Sequence, residues 1–130
     1  MAIPQRLEPG KRLADDDALN NALATPQWQT NTGITALAGG ARNSSTPVLV
    51  LGSNEVTTVA SGADSVVLPV AVPGSVVFVA NATATSMQVF ANGSDTINGT
   101  AGATGVAQAG NKYALYVAAD LGQWYRILTA

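Results

Sequence analysis

Residues 75–80 read SVVFVA, a run of mostly β-branched and aromatic side chains that predicts a β-strand. Apolar residues occupy both alternating sets of positions, so we expect both faces of this strand to be buried, as in the centre of a layered protein. Pro73 and Gly74 precede the run and Asn81 follows it, and these residue types are common in turns. The stretch therefore predicts an all-β fold built around a central strand.

Further β-rich runs lie on both sides of this strand, with turn residues roughly every eight to twelve positions. The predicted strands cover residues 48–51, 56–60, 65–68, 87–91, 113–117 and 123–129. In the last run, Trp124 and Leu128 fall on one side of the strand, and Tyr125 and Ile127 on the other. Residues 46–130 are therefore predicted to form an antiparallel β-sandwich or jelly-roll-like domain with few exposed edges.

Residues 1–45 differ from this body and are predicted to be an extended N-terminal arm and linker. Half of the chain's charged residues lie within its first seventeen positions. A short helix is predicted over about residues 14–24, because Leu19 and Leu23 share one helical face and Pro26 ends the pattern. A helix of this length is marginal alone in water, so we expect it to form by docking against another surface.

The apolar side chains of this arm are the candidate binding residues. They are too few to build a core of their own, which suggests that they contact a neighbouring subunit or a larger surface. The candidates are Leu7, Leu13, Leu19, Leu23 and Trp28.

The composition limits the classes of partner. Charged residues make up 11% of the chain, against about 25% in an ordinary soluble domain, and the formal net charge is −2. Clustered Lys and Arg, which nucleic-acid binding needs, are missing, and the apolar stretches are too short to span a membrane. A nearly neutral surface favours association, and a core of mostly Val and Ala leaves little surplus stability, so we expect a homo-oligomer.

The first ten residues contain no apolar signal-peptide segment, so we expect the protein to be made and folded in a cytoplasm. The absence of cysteine removes disulfides and thiolate metal sites, and the absence of histidine removes imidazole catalysis.

Carboxylates are the remaining candidates for catalysis. Asp64 and Asp95 could form the pair that a glycosidase-like hydrolase needs. Each also precedes a β-rich run, where an aspartate accepts backbone N–H groups at a turn, and we favour this interpretation. Residues 105–112 approach a phosphate-binding loop but lack the Ser or Thr after the lysine and open no predicted helix. We therefore predict no catalytic, cofactor-binding or metal site, and a protein that is not an enzyme.

Aromatic residues near the C-terminus have two interpretations. Tyr113, Tyr116, Trp124 and Tyr125 could form a platform for sugar rings, or they could be core and interface anchors, which we favour. Exposure of the set would support the first interpretation.

Five segments form a recognisable series. They are TTVASGADSVVLP at 57–69, PGSVVFVAN at 73–81, MQVF at 87–90, DTING at 95–99 and GQWY at 122–125. This series spans about residues 55–127 and, with a weaker match at residues 37–41, resembles small bacteriophage structural proteins.

The resemblance implies a virion protein, and specifically a head decoration (cement) protein that binds the major capsid protein on the outer surface of the assembled shell. Such proteins are similar in having β-sandwich bodies in symmetric oligomers, with terminal arms on the shell, so a trimer is favoured over a dimer. They carry no catalytic motif to transfer to this chain. Because similar bodies occur in tail and fibre proteins, a receptor- or carbohydrate-binding tail domain is the alternative.

Overall fold

The computed structural model describes residues 28–130, which contain ten β-strands and no helix. The strands are β1 (Gln29–Thr35), β2 (Gly52–Thr58), β3 (Ser65–Val67), β4 (Val76–Asn81), β5 (Met87–Phe90), β6 (Thr96–Ile97), β7 (Thr100–Ala101), β8 (Val106–Gln108), β9 (Lys112–Asp120) and β10 (Gln123–Leu128). The predicted all-β fold is confirmed. The helix predicted over residues 14–24 lies outside the described residues.

The strands form two sheets, and the chain winds between them. One sheet has seven strands in the order β1-β2-β4-β9-β10-β6-β7, and the other has three in the order β3-β5-β8. From β2 to β5 the chain alternates between the sheets, so β1, β2 and β4 are parallel neighbours, as are β3 and β5. The result is a β-solenoid, so the predicted antiparallel sandwich or jelly roll is wrong in its topology. Later strands add in antiparallel fashion, since β9 pairs with β4, β10 with β9, and β8 with β5.

The sequence pattern could not distinguish these topologies, since side chains alternate with a period of two in parallel and antiparallel strands alike. What differs is the connection. Parallel neighbours need a crossover of a dozen or more residues, whereas antiparallel neighbours can be joined by a tight turn. Here the crossover from β2 to β4 passes through β3 in the opposite sheet. The same runs of β-forming residues therefore form a β-solenoid instead of an antiparallel sandwich.

Part of the predicted linker is an edge strand of the larger sheet. β1 lies within the region 1–45 that the sequence placed outside the β domain, yet it pairs with β2 along its length. The Gln29 N–H donates to the carbonyl of Leu51 at 2.9 Å. Gly52, which opens β2, has a φ of +115°, and a Cβ atom added there would lie 2.2 Å from the Gln29 carbonyl oxygen. This close approach of two backbones requires glycine.

Residues 52–54, which follow the predicted strand 48–51 and carry the turn-forming residues Gly52 and Asn54, are instead the start of β2, and residues 48–51 form no strand. The buried side chain of Asn54 explains the difference. Its Oδ1 atom accepts the Val50 N–H at 2.9 Å, and its Nδ2 atom donates to the Val50 carbonyl at 2.9 Å. The Asn54 side chain thus supplies hydrogen-bond partners to the backbone of an irregular loop, although Asn54 itself lies in a strand. In the sequence, an asparagine at this place indicates a turn.

The hydrophobic core lies between the two sheets. Val77 from the larger sheet and Val89 from the smaller one are fully buried, as are the large side chains of Tyr116 and Trp124. Trp124 has no exposed surface while Tyr125, the next residue, is 49% exposed, so these two lie on opposite sides of the last strand as predicted, whereas Leu128, predicted on the side of Trp124, is 37% exposed. The larger sheet therefore has an inner face, directed to the core, and an outer face.

Candidate functional site

Charged side chains within residues 28–130 serve mainly to hold the chain's own backbone. Six of the seven bind a backbone N–H or carbonyl group, which leaves Glu55 as the exception. The six are Arg42, Asp64, Asp95, Lys112, Asp120 and Arg126. Such groups contribute to the fold through charge-assisted hydrogen bonds.

Asp64 has the structural role that the turn interpretation predicted. Its carboxylate accepts the Ala60 N–H and the Ser61 hydroxyl, each at 2.8 Å. These two hydrogen bonds, the backbone one first, lower the pKa of the Asp64 carboxyl below its usual value, because they stabilise the ionised form. The group is thus held as a carboxylate that closes the turn before β3.

Asp95 also binds a backbone N–H, but at a distance in sequence rather than in its own turn. Its Oδ2 atom accepts the N–H of Ala71 at 2.8 Å. Ala71 is fully buried in the proline-bounded segment between β3 and β4, and its carbonyl accepts the Gly122 N–H at 3.0 Å. Asp95 therefore ties that segment to the end of the sheet, and each aspartate of the postulated hydrolase pair is engaged by the backbone.

Seven apolar residues lie together on the outer side of the larger sheet, and we call them the outer apolar face. Strand register places them in neighbouring rows across β4, β9 and β10. The members are the rows Val76–Val117–Tyr125 and Phe78–Leu115–Ile127, together with Tyr113. Directly opposed side chains in such rows have Cβ atoms about 5 Å apart, so the rows make one continuous patch.

The outer apolar face is open to solvent in the described residues. Ile127 is 69% exposed and Tyr113 is 51% exposed. The rings of Phe78 and Tyr113 stack with their centroids 5.9 Å apart, which fixes one end of the patch. Charged residues lie at its margins, where Glu55 of β2 pairs with Ala80 and Asp120 at the end of β9 pairs with Gln123. An exposed apolar patch of this kind marks an interaction surface.

Of the five predicted binding residues, the structure describes only Trp28, and their role in binding stays a prediction. Leu7, Leu13, Leu19 and Leu23 lie outside the described residues. Trp28 is 61% exposed and directly precedes β1 at the edge of the larger sheet. Because β2 and β4 separate β1 from β9, Trp28 is not part of the outer apolar face.

The C-terminal aromatic residues divide between two environments. Tyr116 and Trp124 are fully buried, whereas Tyr113 and Tyr125 are about half exposed on the outer apolar face. Sequence reasoning did not identify this face as a site. The signal was present in residues 75–80, whose apolar side chains occupy both faces of a strand although only one face meets the core.

No helix among residues 28–130 is long and apolar enough to cross a membrane. In the same part of the chain, no three His, Cys, Asp or Glu side chains cluster in a way that could hold a metal ion. No protein-family model matches the chain, and no curated protein matches it in sequence.

Proposed function

We propose that this protein is a bacteriophage capsid decoration (cement) protein, which binds the assembled shell of major capsid protein and stabilises it without catalysing a reaction. The observation that carries the proposal is the outer apolar face on a body whose charged side chains bind their own backbone. A surface of this kind suits permanent contact with other protein. The resemblance of residues 55–127 to small bacteriophage structural proteins supports a virion as the assembly that the protein joins.

The mechanism we propose is mass action. A protein that binds the assembled lattice but not free capsid subunits stabilises the lattice by its binding free energy. A homo-oligomer, with a trimer favoured over a dimer, would engage several subunits at once and gain avidity through effective concentration. In this proposal the apolar residues of the N-terminal arm bind the shell, and the protein is made in the bacterial cytoplasm before it joins the outer surface of the virion.

Co-sedimentation tests this proposal directly. Purified full-length protein is mixed with expanded, mature shells and, separately, with unassembled major capsid protein of the phage that encodes it. We expect binding to shells only, and a higher temperature for disassembly of the decorated shells. Failure to bind shells at any protein concentration would overturn the proposal. A variant that lacks residues 1–28 tests the arm, since undiminished occupancy would remove it from the mechanism.

A tail- or fibre-associated domain that binds a receptor or carbohydrate is the second candidate. The exposure of Tyr113 and Tyr125 favours it, because sugar rings stack on exposed aromatic side chains. A glycan array probed with the wild type and with Tyr113→Ala separates the candidates. Glycan binding that Tyr113→Ala abolishes would support the tail function, and binding to shells without any glycan signal would support decoration.

A further inference from the structure

We propose that the outer apolar face is a contact between copies of this chain, which pack with these faces against each other. The partner at this face is thus a second copy of the chain, and only the role of the resulting oligomer on a capsid shell rests on the proposed function. The contact itself follows from three features of the face: its uncovered central strand, its freedom from charge, and its rigid anchors.

The central strand β4 has apolar side chains in both directions but only one covering layer. Val77 and Val79 are fully buried in the core, whereas Val76 and Phe78 on the opposite side are only partly buried. Near-continuous apolar runs are typical of strands that are covered on both faces. Within residues 28–130, nothing packs over the second face. A further copy of the chain would cover the second apolar face of β4.

The absence of charge favours a copy of the same chain as the occupant. In a symmetric contact the same residues of every copy lie near the axis, so a charge at the centre of the face would meet its own kind. None of the seven residues of the face is charged, and Asp120, which pairs with Gln123, lies at the end of β9 beyond its rows. The face can therefore meet itself without like-charge repulsion. It also lacks the charged groups by which a foreign partner is usually selected.

The side chains of the face suit a stable contact. Tyr113 and Tyr125 are rigid and about half exposed, and tyrosine is among the residues that anchor protein interfaces. The Tyr125 hydroxyl donates to Gln123 Oε1 at 3.1 Å, so its polar end has a partner at the rim. Ile127, which is more exposed than either, lies at the end of the second row and loses apolar surface when the contact forms.

Solution mass tests the inference without any shell. The full-length wild type is compared with Ile127→Lys and with Leu121→Lys by light scattering and sedimentation velocity over a wide range of protein concentrations. Leu121 is the matched control, because it is 70% exposed but lies in the turn between β9 and β10, away from the face. We expect the wild type and Leu121→Lys to be oligomers of equal mass. Ile127→Lys should weaken association by at least about 30-fold.

Ile127→Thr provides a second variant in case the lysine variant does not fold, since threonine keeps a β-branched side chain in the strand. We expect it to weaken association by about fivefold. A monomeric wild type, or an oligomer whose dissociation constant neither substitution at Ile127 changes, would overturn the inference. A monomer that still binds shells would overturn only this inference, and an oligomer that binds no shell would overturn only the proposed function.

Discussion

The hydroxyl of Tyr116 and the Oε1 atom of Gln108 are joined by a hydrogen bond of 3.1 Å, and both side chains are completely buried. The amide nitrogen of Gln108 donates to the carbonyl of Val79 at 3.0 Å and to that of Lys112 at 3.1 Å. One glutamine thus links β8 of the smaller sheet to β4 and β9 of the larger one. Its polar atoms satisfy groups that the core would otherwise leave without partners.

Replacing Gln108 should therefore destabilise the fold strongly. Gln108→Leu removes three hydrogen bonds and leaves buried carbonyl and hydroxyl groups unpartnered, for which we expect a loss of about 3 to 5 kcal/mol. Tyr116→Phe removes one bond and should cost about 1 to 2 kcal/mol. Urea unfolding at a fixed protein concentration measures both. Tyr125→Phe is the control, since its hydroxyl is bonded at the surface; a loss as large as that of Tyr116→Phe would contradict the assignment.

The same tyrosine should make stability depend on pH in the alkaline range. Burial raises the pKa of Tyr116 to about 12, although Arg126 opposes the effect, and the usual value is 10.0. Between these values the unfolded chain has released a proton that the native chain keeps, so the free energy of unfolding falls as the pH rises. The stabilisation is complete below pH 10, and about 2 to 3 kcal/mol of it should be lost by pH 12.

Unfolding of the wild type and Tyr116→Phe across pH 9 to 12 isolates this contribution, because the other alkaline groups titrate in both proteins. The wild type should lose more stability than the variant as the pH rises. Parallel curves would show that Tyr116 does not titrate as its burial implies.

Asp64 should produce a dependence of the opposite sign in acid. Hydrogen bonds from Ala60 and Ser61 lower its pKa below the usual 3.8, so its stabilisation is present above that value and is lost as the pH falls through the lowered pKa. We expect Asp64→Asn to be less stable than the wild type at neutral pH. The difference should shrink below pH 4, and a difference that stays constant down to pH 2 would contradict this role.

Asp95 should contribute through the single backbone group that it binds. Asp95→Ala leaves the N–H of the buried Ala71 without its acceptor, at an expected cost of about 1 to 3 kcal/mol. Asp120→Ala is the matched control, because Asp120 also accepts a backbone N–H but is exposed, and it should cost less than about 1 kcal/mol. Equal losses in thermal unfolding of the two variants would rule out a special role for Asp95.

Gly52 should tolerate no side chain. In Gly52→Ala the methyl group would meet the Gln29 backbone in a conformation that also disfavours L-residues, so we expect a loss of about 3 kcal/mol or more, or detachment of β1. Gly62→Ala is the control, since an added Cβ there has nothing within 4 Å and needs no positive φ. Hydrogen exchange at the β1 amides reads out detachment, and unchanged protection in a stable Gly52→Ala would refute the contact.

The sequence indicated six of the ten strands, because their positions depend on local alternation, but it did not indicate β1, β6, β7 or β8. Trp124 and Tyr125 lie on the sides that the pattern predicts. The sequence did not indicate which strands are neighbours. β2 and β4 pair through a long crossover, and the alternation of side chains along a strand is the same whatever strand lies beside it. The start of β2 was missed for another reason. Asn54 binds the backbone of the preceding loop from within the strand, and the sequence does not distinguish such an asparagine from one in a turn.

The outer apolar face was foreseeable only in part. The doubly apolar run at 75–80 was interpreted as a strand with two covering layers, and the structure supplies one. Which strands stand beside β4, and therefore which residues extend the face, depends on pairing between distant parts of the chain. Tyr113 and Ile127 reach the same surface only through β9.

The position of β9 between β4 and β10 has a consequence for biosynthesis. A chain still on the ribosome can wind its early coils, but β4 keeps a bare edge until residues 112–128 have emerged. Premature termination before this point would leave an open strand edge instead of a finished surface, and such edges promote aggregation. Subunits therefore become competent to associate only after residues 112–128 have been synthesised, because only then is the edge of β4 covered.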